Sequence, residues 1–237
     1  MLKFSIVTVC FNAEKTIQET MFSVLNQSYK NIEYIIIDGK SKDNTLDVIS
    51  RMQSQYEHCD LKVVSEPDKG IYDAMNKALK IASGDFLIFL GADDHFISSN
   101  VLERFSIFMK DTKCIYYGNV LRPLRNDLYC GKFSKYKLAV KNIPHQSIFY
   151  CKEVYKKYAY DINMKIFADY KYNILAWKDY RYVYVNLTVS YFESAGASGT
   201  VRDVAFEKEY QSLVIQSLGF WPYVYSSIYR LLRNIIK

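Results

Sequence analysis

The sequence predicts an α/β fold, a mostly parallel sheet flanked by helices and followed by a C-terminal helical tail. Two patterns and the chain's size predict it. Short apolar runs alternate with helical patterns through the first half, which is how a parallel sheet with helices on its faces reads. The runs are almost continuously apolar, as strands covered on both faces require. With 237 residues, half of them hydrophobic, the chain can bury one sizeable core but not two independent ones.

Strands are predicted at Phe4 to Val9, Tyr34 to Ile37, Leu61 to Val64 and Phe86 to Leu90. Between the first two, Ile17, Met21, Val24 and Leu25 recur at helical spacing behind Asn12, which is placed to cap that helix. Leu46, Ile49, Met52 and Tyr56 repeat the pattern, with Ser41 or Asp43 as its cap. A third helix spans Tyr72 to Ala82, ended by Ser83-Gly84, where glycine can take the left-handed conformation. A helix around Val101 to Met109 and a strand at Cys114 to Tyr117 follow. From about Leu121 the alternation loosens into aromatic segments, with a helix at Ala168 to Trp177 and a strand over Arg181 to Phe192. The small-residue run Glu193 to Gly199 then reads as a loop.

Composition narrows the function. The cysteines Cys10, Cys59, Cys114, Cys130 and Cys151 form no C-x-x-C pair and read as reduced, buried hydrophobes. The N-terminus runs straight into a strand without signal-peptide features, so a cytoplasmic setting is expected. Net charge is +6 with no long basic run and no basic stripe interleaved with aromatics, which argues against nucleic acid. Aromatic content is 16%, with 22 tyrosines suited to half-wet clefts.

Ligands of open parallel sheets bind beyond the carboxyl ends of the strands. Four such ends are polar here: Thr8 to Asn12, Asp38 to Asp43, Glu66 to Gly70, and Gly91 to Asp94. Asp38 follows three isoleucines and precedes Gly39, which puts a carboxylate at a strand tip. Asp68-Lys69-Gly70 also reads as a plain turn. Asp93 and Asp94 are the sharpest feature, because two adjacent carboxylates at the end of a buried strand repel one another near a low-dielectric core. A divalent cation relieves that cost, and Mg²⁺ or Mn²⁺ takes one or two carboxylates with phosphates completing the shell.

Taken in order, these segments resemble the inverting nucleotide-sugar glycosyltransferases of family 2, which have the GT-A fold with a Rossmann-like sheet. The motifs are Ser5 to Asn12, Asp38-Gly39 with Ser41 and Asp43, Glu66 to Asn76, Gly84-Asp85, and Asp93-Asp94, and the likeness covers about residues 3 to 200. The resemblance implies a nucleotide-sugar-binding half at 1–120 and an acceptor-binding half at 121–200. It implies that Thr8, Val9, Asp38 and Gly39 border the base, usually uracil, and that Asn12 and Lys69 border ribose and phosphates. Asp93 and Asp94 would share Mn²⁺ or Mg²⁺ with the diphosphate, Asp93 also touching the donor. The family's metal motif commonly reads Asp-x-Asp-Asp, whereas Gly91 stands at its first position here. Asp169, in Ile166 to Tyr170, would be the general base, although a first-turn aspartate also complements a helix dipole. His145, in Pro144-His145-Gln146, would contact acceptor or phosphate.

After Val201 the chain reads as a helical segment, 201–237, whose end from Phe220 is aromatic and basic. That end suits an anionic membrane surface and a polyprenyl-linked saccharide acceptor, or packing against the domain or a second subunit in a homodimer. Peripheral attachment at the inner face of the plasma membrane follows from the first of these. A sugar-1-phosphate nucleotidyltransferase and a non-catalytic nucleotide or carbohydrate binder stay open as alternatives. The first would normally carry an early glycine-rich phosphate loop, and none follows the first strand.

Overall fold

The computed structural model describes residues 1–56, 59–192 and 202–235. The small-residue run 193–199 lies outside them. The parallel core is β1 (Phe4–Cys10), β2 (Ile32–Asp38), β3 (Asp60–Ser65) and β4 (Phe86–Gly91), in the order β3-β2-β1-β4. Three helices connect these strands: α1 (Ile17–Leu25), α2 (Thr45–Gln55) and α3 (Ile71–Ile81). The predicted strands are present, each extended by a residue or two. Register aligns Cys10 with Asp38, Asp38 with Ser65 and Val9 with Gly91, so the polar strand ends form one row.

Beyond β4 the sheet becomes mixed. The short β5 (His95–Phe96), α4 (Val101–Ser106), β6 (Ile115–Arg122), β7 (Asp127–Tyr129) and α5 (Lys135–Leu138) lead to β8 (Ile148–Cys151), which runs antiparallel to both β4 and β6. After α6 (Lys152–Lys157) and α7 (Ala168–Asp179), β9 (Tyr182–Tyr191) pairs parallel to β6 and antiparallel to β5. Two helices, α8 (Val204–Ser217) and α9 (Phe220–Ile235), end the described chain. They are separated at Gly219, whose φ of 104° breaks the segment predicted as continuous. Phe206, Tyr210, Leu213 and Val214 of α8 belong to the same core as the sheet.

Two expected caps are absent. Asn12 does not cap α1, which begins at Ile17 after Thr16; it takes a left-handed φ of 51° and bonds across to the neighbouring loop instead. Gly84 does not adopt the left-handed conformation, since α3 ends through an extended Ala82. It is glycine because of crowding: a Cβ there would lie 2.7 Å from the Ser5 nitrogen and 2.8 Å from the Lys3 carbonyl.

That crowding belongs to a latch at the amino ends of the strands. The buried Glu33 carboxylate accepts from Ser5 Oγ (2.5 Å), Ser83 N (2.6 Å), Gly84 N (3.0 Å) and Lys62 Nζ (2.7 Å). Burial alone would raise this carboxyl, but the bonds from Lys62, Ser5 and Ser83 outweigh it and hold the group down to about 2. Tyrosine hydroxyls fasten the second half in a similar way. Tyr155 donates to the Gly84 carbonyl, Tyr170 to Leu138 (2.5 Å), Tyr129 to Asn142 (3.1 Å) and Tyr210 to Ala139. Asp203 ties α8 to the loop ahead of α7, accepting from Lys165 N, Ile166 N and Phe167 N and capping α8 through Phe206 N.

Because the carboxyl of Glu33 is lower folded than unfolded, its stabilisation is present above about pH 4.5 and is lost as pH falls towards 2. Glu33→Gln should cost about 2 kcal/mol at neutral pH, a figure reduced for the partial exposure of Lys62, and denaturant melts should show the gap closing below pH 4.

Candidate active site

The loops after β1 and β2 clasp each other beyond the strand ends. Asn12 N donates to Ser41 Oγ (2.8 Å) and Lys42 N donates to Asn12 Oδ1 (2.9 Å). Ala13 N donates to Thr45 Oγ1, Glu14 N to Asp43 Oδ2, and Asn44 N to Glu14 Oε2. Left-handed backbone at Asn12 and Lys40 makes both turns tight enough to meet. Asp43 also accepts from Thr45 N at the start of α2, so its predicted capping role is present in part.

Asp38 stands at the centre of this clasp and is fully covered. Its carboxylate accepts from Ser41 N (3.1 Å), Ser41 Oγ and Ser65 Oγ (2.6 Å), and Gly39 N donates to the Cys10 carbonyl (2.9 Å). The side chain therefore organises the strand ends while Ser41 covers it. Thr8 and Val9 are buried in β1, and the Thr8 hydroxyl meets the Tyr34 phenol at 2.9 Å inside the core, so the two residues form a floor beneath the clasp. Lys69 is exposed at the start of α3, its N–H bonded to Asp73, and lines a cleft with Tyr72, Asn163 and Lys165.

At the end of β4 the chain turns back on itself. Asp94 Oδ2 accepts from Gly91 N (2.8 Å), while Asp94 N donates to the Gly91 carbonyl (3.1 Å). Asp94 is 3% exposed and Asp93 lies open beside it. Burial pushes the Asp94 carboxyl up to about 6, with the Asp93 charge adding to the rise and His145 and Gln146 opposing it. Among the described residues no lysine or arginine pairs with either aspartate.

Gly91 has a steric explanation here. A Cβ at this position would lie 2.8 Å from Asp94 Oδ2 and 2.9 Å from Asp93 Oδ1, so both carboxylates close around a space that only glycine leaves empty. Among the described residues no group of three or more His, Cys, Asp or Glu side chains could hold a metal alone. A hard cation fits this pair as a shared ion, with two carboxylates from the protein and the remaining oxygens from a diphosphate and water.

The turn His145–Ser147 brings the second half to this point. His145 Nδ1 lies 3.6 Å from Asp169 Oδ2. Burial pulls the imidazole down, but the adjoining Asp169 and the charges of Asp94 and Asp93 outweigh it and leave it raised. His145 thus joins the aspartate turn to Asp169 in the first turn of α7. Asp169 Oδ2 also accepts from Asn142 Nδ2 (2.8 Å), and its Oδ1 accepts from Tyr170 N (2.8 Å). The one Tyr72 hydroxyl proton is shared between the Ile166 carbonyl and Asp169 Oδ1 (3.3 Å), linking α3 to the start of α7.

The structure therefore gathers Asp93, Asp94, His145 and Asp169, and separately Asn12, Asp38 and Gly39. Sequence reasoning missed Asn142 and Ser65, and gave Gln146 no role although it stands in the Pro144-His145-Gln146 motif. Asn142 and Ser65 sit in segments with no pattern to mark them.

A carboxyl raised by burial binds more protons folded than unfolded, so its cost is absent below about pH 3.8 and fully present above 6. In chelator-treated protein Asp94→Asn should accordingly gain up to about 3 kcal/mol at neutral pH, with thermal melts showing the gain vanish near pH 4.

Several known proteins are similar to this chain. A PGL/p-HBAD biosynthesis glycosyltransferase from Mycobacterium tuberculosis is 31% identical over 238 residues, covering 94% of this chain and 92% of the relative. An Escherichia coli UDP-Glc:α-D-GlcNAc-diphosphoundecaprenol β-1,3-glucosyltransferase is 36% identical over 130 residues, which is 54% of this chain and 49% of that one. The S. aureus TarS fragment 1–349 with UDP-GlcNAc superposes with a TM-score of 0.75 at 18% identity, covering 91% of this chain and 66% of that fragment, and shares the GT-A fold. The profile of Glycosyl transferase family 2 matches residues 5–171, and with these likenesses it establishes that the chain belongs to that family of glycosyltransferases.

Proposed function

We propose that this glycosyltransferase moves a sugar from a uridine diphosphate sugar, with inversion, to a hydroxyl of a lipid-linked saccharide during cell-surface polysaccharide assembly, working at the inner face of the membrane. The observation that carries the catalytic part is the buried Asp94, raised by its surroundings, without a basic partner and linked through His145 to Asp169. The uridine donor is supported by the UDP-GlcNAc complex of the structural neighbour, and the lipid-linked acceptor by the undecaprenyl substrate in the E. coli relative's name.

Asp93 and Asp94 would hold Mn²⁺ or Mg²⁺ against the diphosphate. When bound, that ion supplies positive charge to the leaving group. The clasp formed by Asn12, Asp38, Gly39 and Ser41 borders the base and ribose, with Thr8 and Val9 beneath it, and Lys69 faces the phosphates from the start of α3. Asp169 is the general base. As the acceptor oxygen attacks the anomeric carbon and the bond to the diphosphate breaks, its carboxylate takes the hydroxyl proton. Asn142 and Tyr72 hold the carboxylate in orientation, and His145 sets its imidazole beside the base.

Asp169→Asn should retain donor binding and lose transfer by about two orders of magnitude in a single-turnover assay. Normal transfer by that variant would rule Asp169 out as base. Mn²⁺ together with UDP should raise the melting temperature, and Asp94→Asn, although more stable without metal, should lose most of that rise. A nucleotide panel showing no metal-dependent shift would remove the metal assignment.

A further inference from the structure

The net positive charge of this chain is concentrated in two segments of its sequence. Residues 122–141 carry six basic side chains and one acidic, and 220–235 carry two basic and none acidic. Together they are +7, against +6 for the whole chain. The fold joins these two segments. Tyr136 of α5 meets Tyr225 of α9 edge-on at 5.7 Å.

On α9 the apolar residues face outward. Trp221, Tyr225, Ile228 and Leu232 follow one another at helical spacing and are 45–68% exposed, while Pro222 and Ser226 on the opposite side are buried. Arg230 packs its guanidinium over the Tyr210 ring at 3.6 Å and so fixes which face points out. Lys132, Lys135, Lys141 and Arg233 are exposed nearby. No helix among the described residues is long and apolar enough to cross a membrane, so α9 is suited to lie along a surface.

We propose that α9 and α5 form a docking surface for an anionic lipid bilayer. The Trp221–Leu232 stripe enters the boundary between headgroups and acyl chains, and Lys132, Lys135 and Arg233 rest on anionic headgroups. Charge selects this occupant over a second copy of the chain, because a two-fold contact through the patch would set like charges against each other. The surface is fastened to the catalytic lobe. The last carbonyls of α5 accept from Tyr170, which adjoins Asp169, and from Tyr210 of α8; Asn142 then bonds Asp169 itself. The inference rests on the lipid-linked acceptor proposed above, and it brings that acceptor's carrier membrane to the lobe that holds the base.

Sedimentation with phosphatidylcholine vesicles, with and without phosphatidylglycerol, tests it. Binding should require phosphatidylglycerol and weaken with salt. Lys135→Gln and Arg233→Gln should each weaken it about fivefold. Trp221→Ser with Leu232→Ser should weaken it more than about tenfold. All four changes are at exposed positions and should leave both the melting temperature and transfer to a water-soluble acceptor unchanged. Equal binding to both vesicle types, wild-type binding by the variants, or a dimer held through Trp221 in place of vesicle binding would overturn the proposal. The vesicle measurement uses no sugar donor, so a protein that bound vesicles but transferred nothing would fail the proposed function and still support the surface.

Discussion

Two buried carboxylates sit at opposite ends of the parallel strands, and the difference between them organises the molecule. Glu33, at the amino ends, is surrounded by donors from four residues and is held far down its range. Asp94, at the carboxyl ends, has the Gly91 N–H and nearby His145 and Gln146, and is pushed up. Burying a charge is costly unless it is matched. The first charge is matched by the fold, and the second has no basic side chain paired with it among the described residues. A sheet with one saturated end and one deficient end has a structural base and a chemical face.

The register of the parallel strands turns that asymmetry into a site. Cys10, Asp38 and Ser65 align, and Gly91 pairs with Val9 one residue short of that row, so four successive loops emerge along one edge. Two interlock through Asn12, Ser41 and Asp43, and the fourth folds onto Gly91. The second half meets this edge through the turn at His145 and the first turn of α7. The two halves of the chain thus touch at this edge through a few polar side chains while the apolar core behind them stays continuous.

Much of this was legible in the sequence because buried parallel strands have a strong apolar signature. Four strands and the carboxylates at their ends could be placed directly, and family membership sets aside the nucleotidyltransferase reading. Local patterns served less well where tertiary contacts decide. Asn12 resembled a cap but bonds the adjacent loop, and Gly84 resembled a helix stop but is glycine because the β1 backbone passes against it. Gly91 looked like a lost carboxylate, and its reason appears only when Asp93 and Asp94 are seen closing on the same space. In the second half, mixed pairings between distant strands leave no simple period to read.

The abundance of tyrosine also gains a meaning that composition alone did not carry. Phenols from α6, α7, α8 and β7 reach main-chain carbonyls many residues away, at the ends of short elements that cannot complete their own hydrogen bonding. In this half of the chain the aromatic ring fills volume and its hydroxyl does the work that longer regular structure does elsewhere. Phenylalanine would preserve the packing at such positions yet strand a buried acceptor. Drift towards a more ordinary aromatic composition would therefore loosen the second half of the chain before it opened any visible cavity.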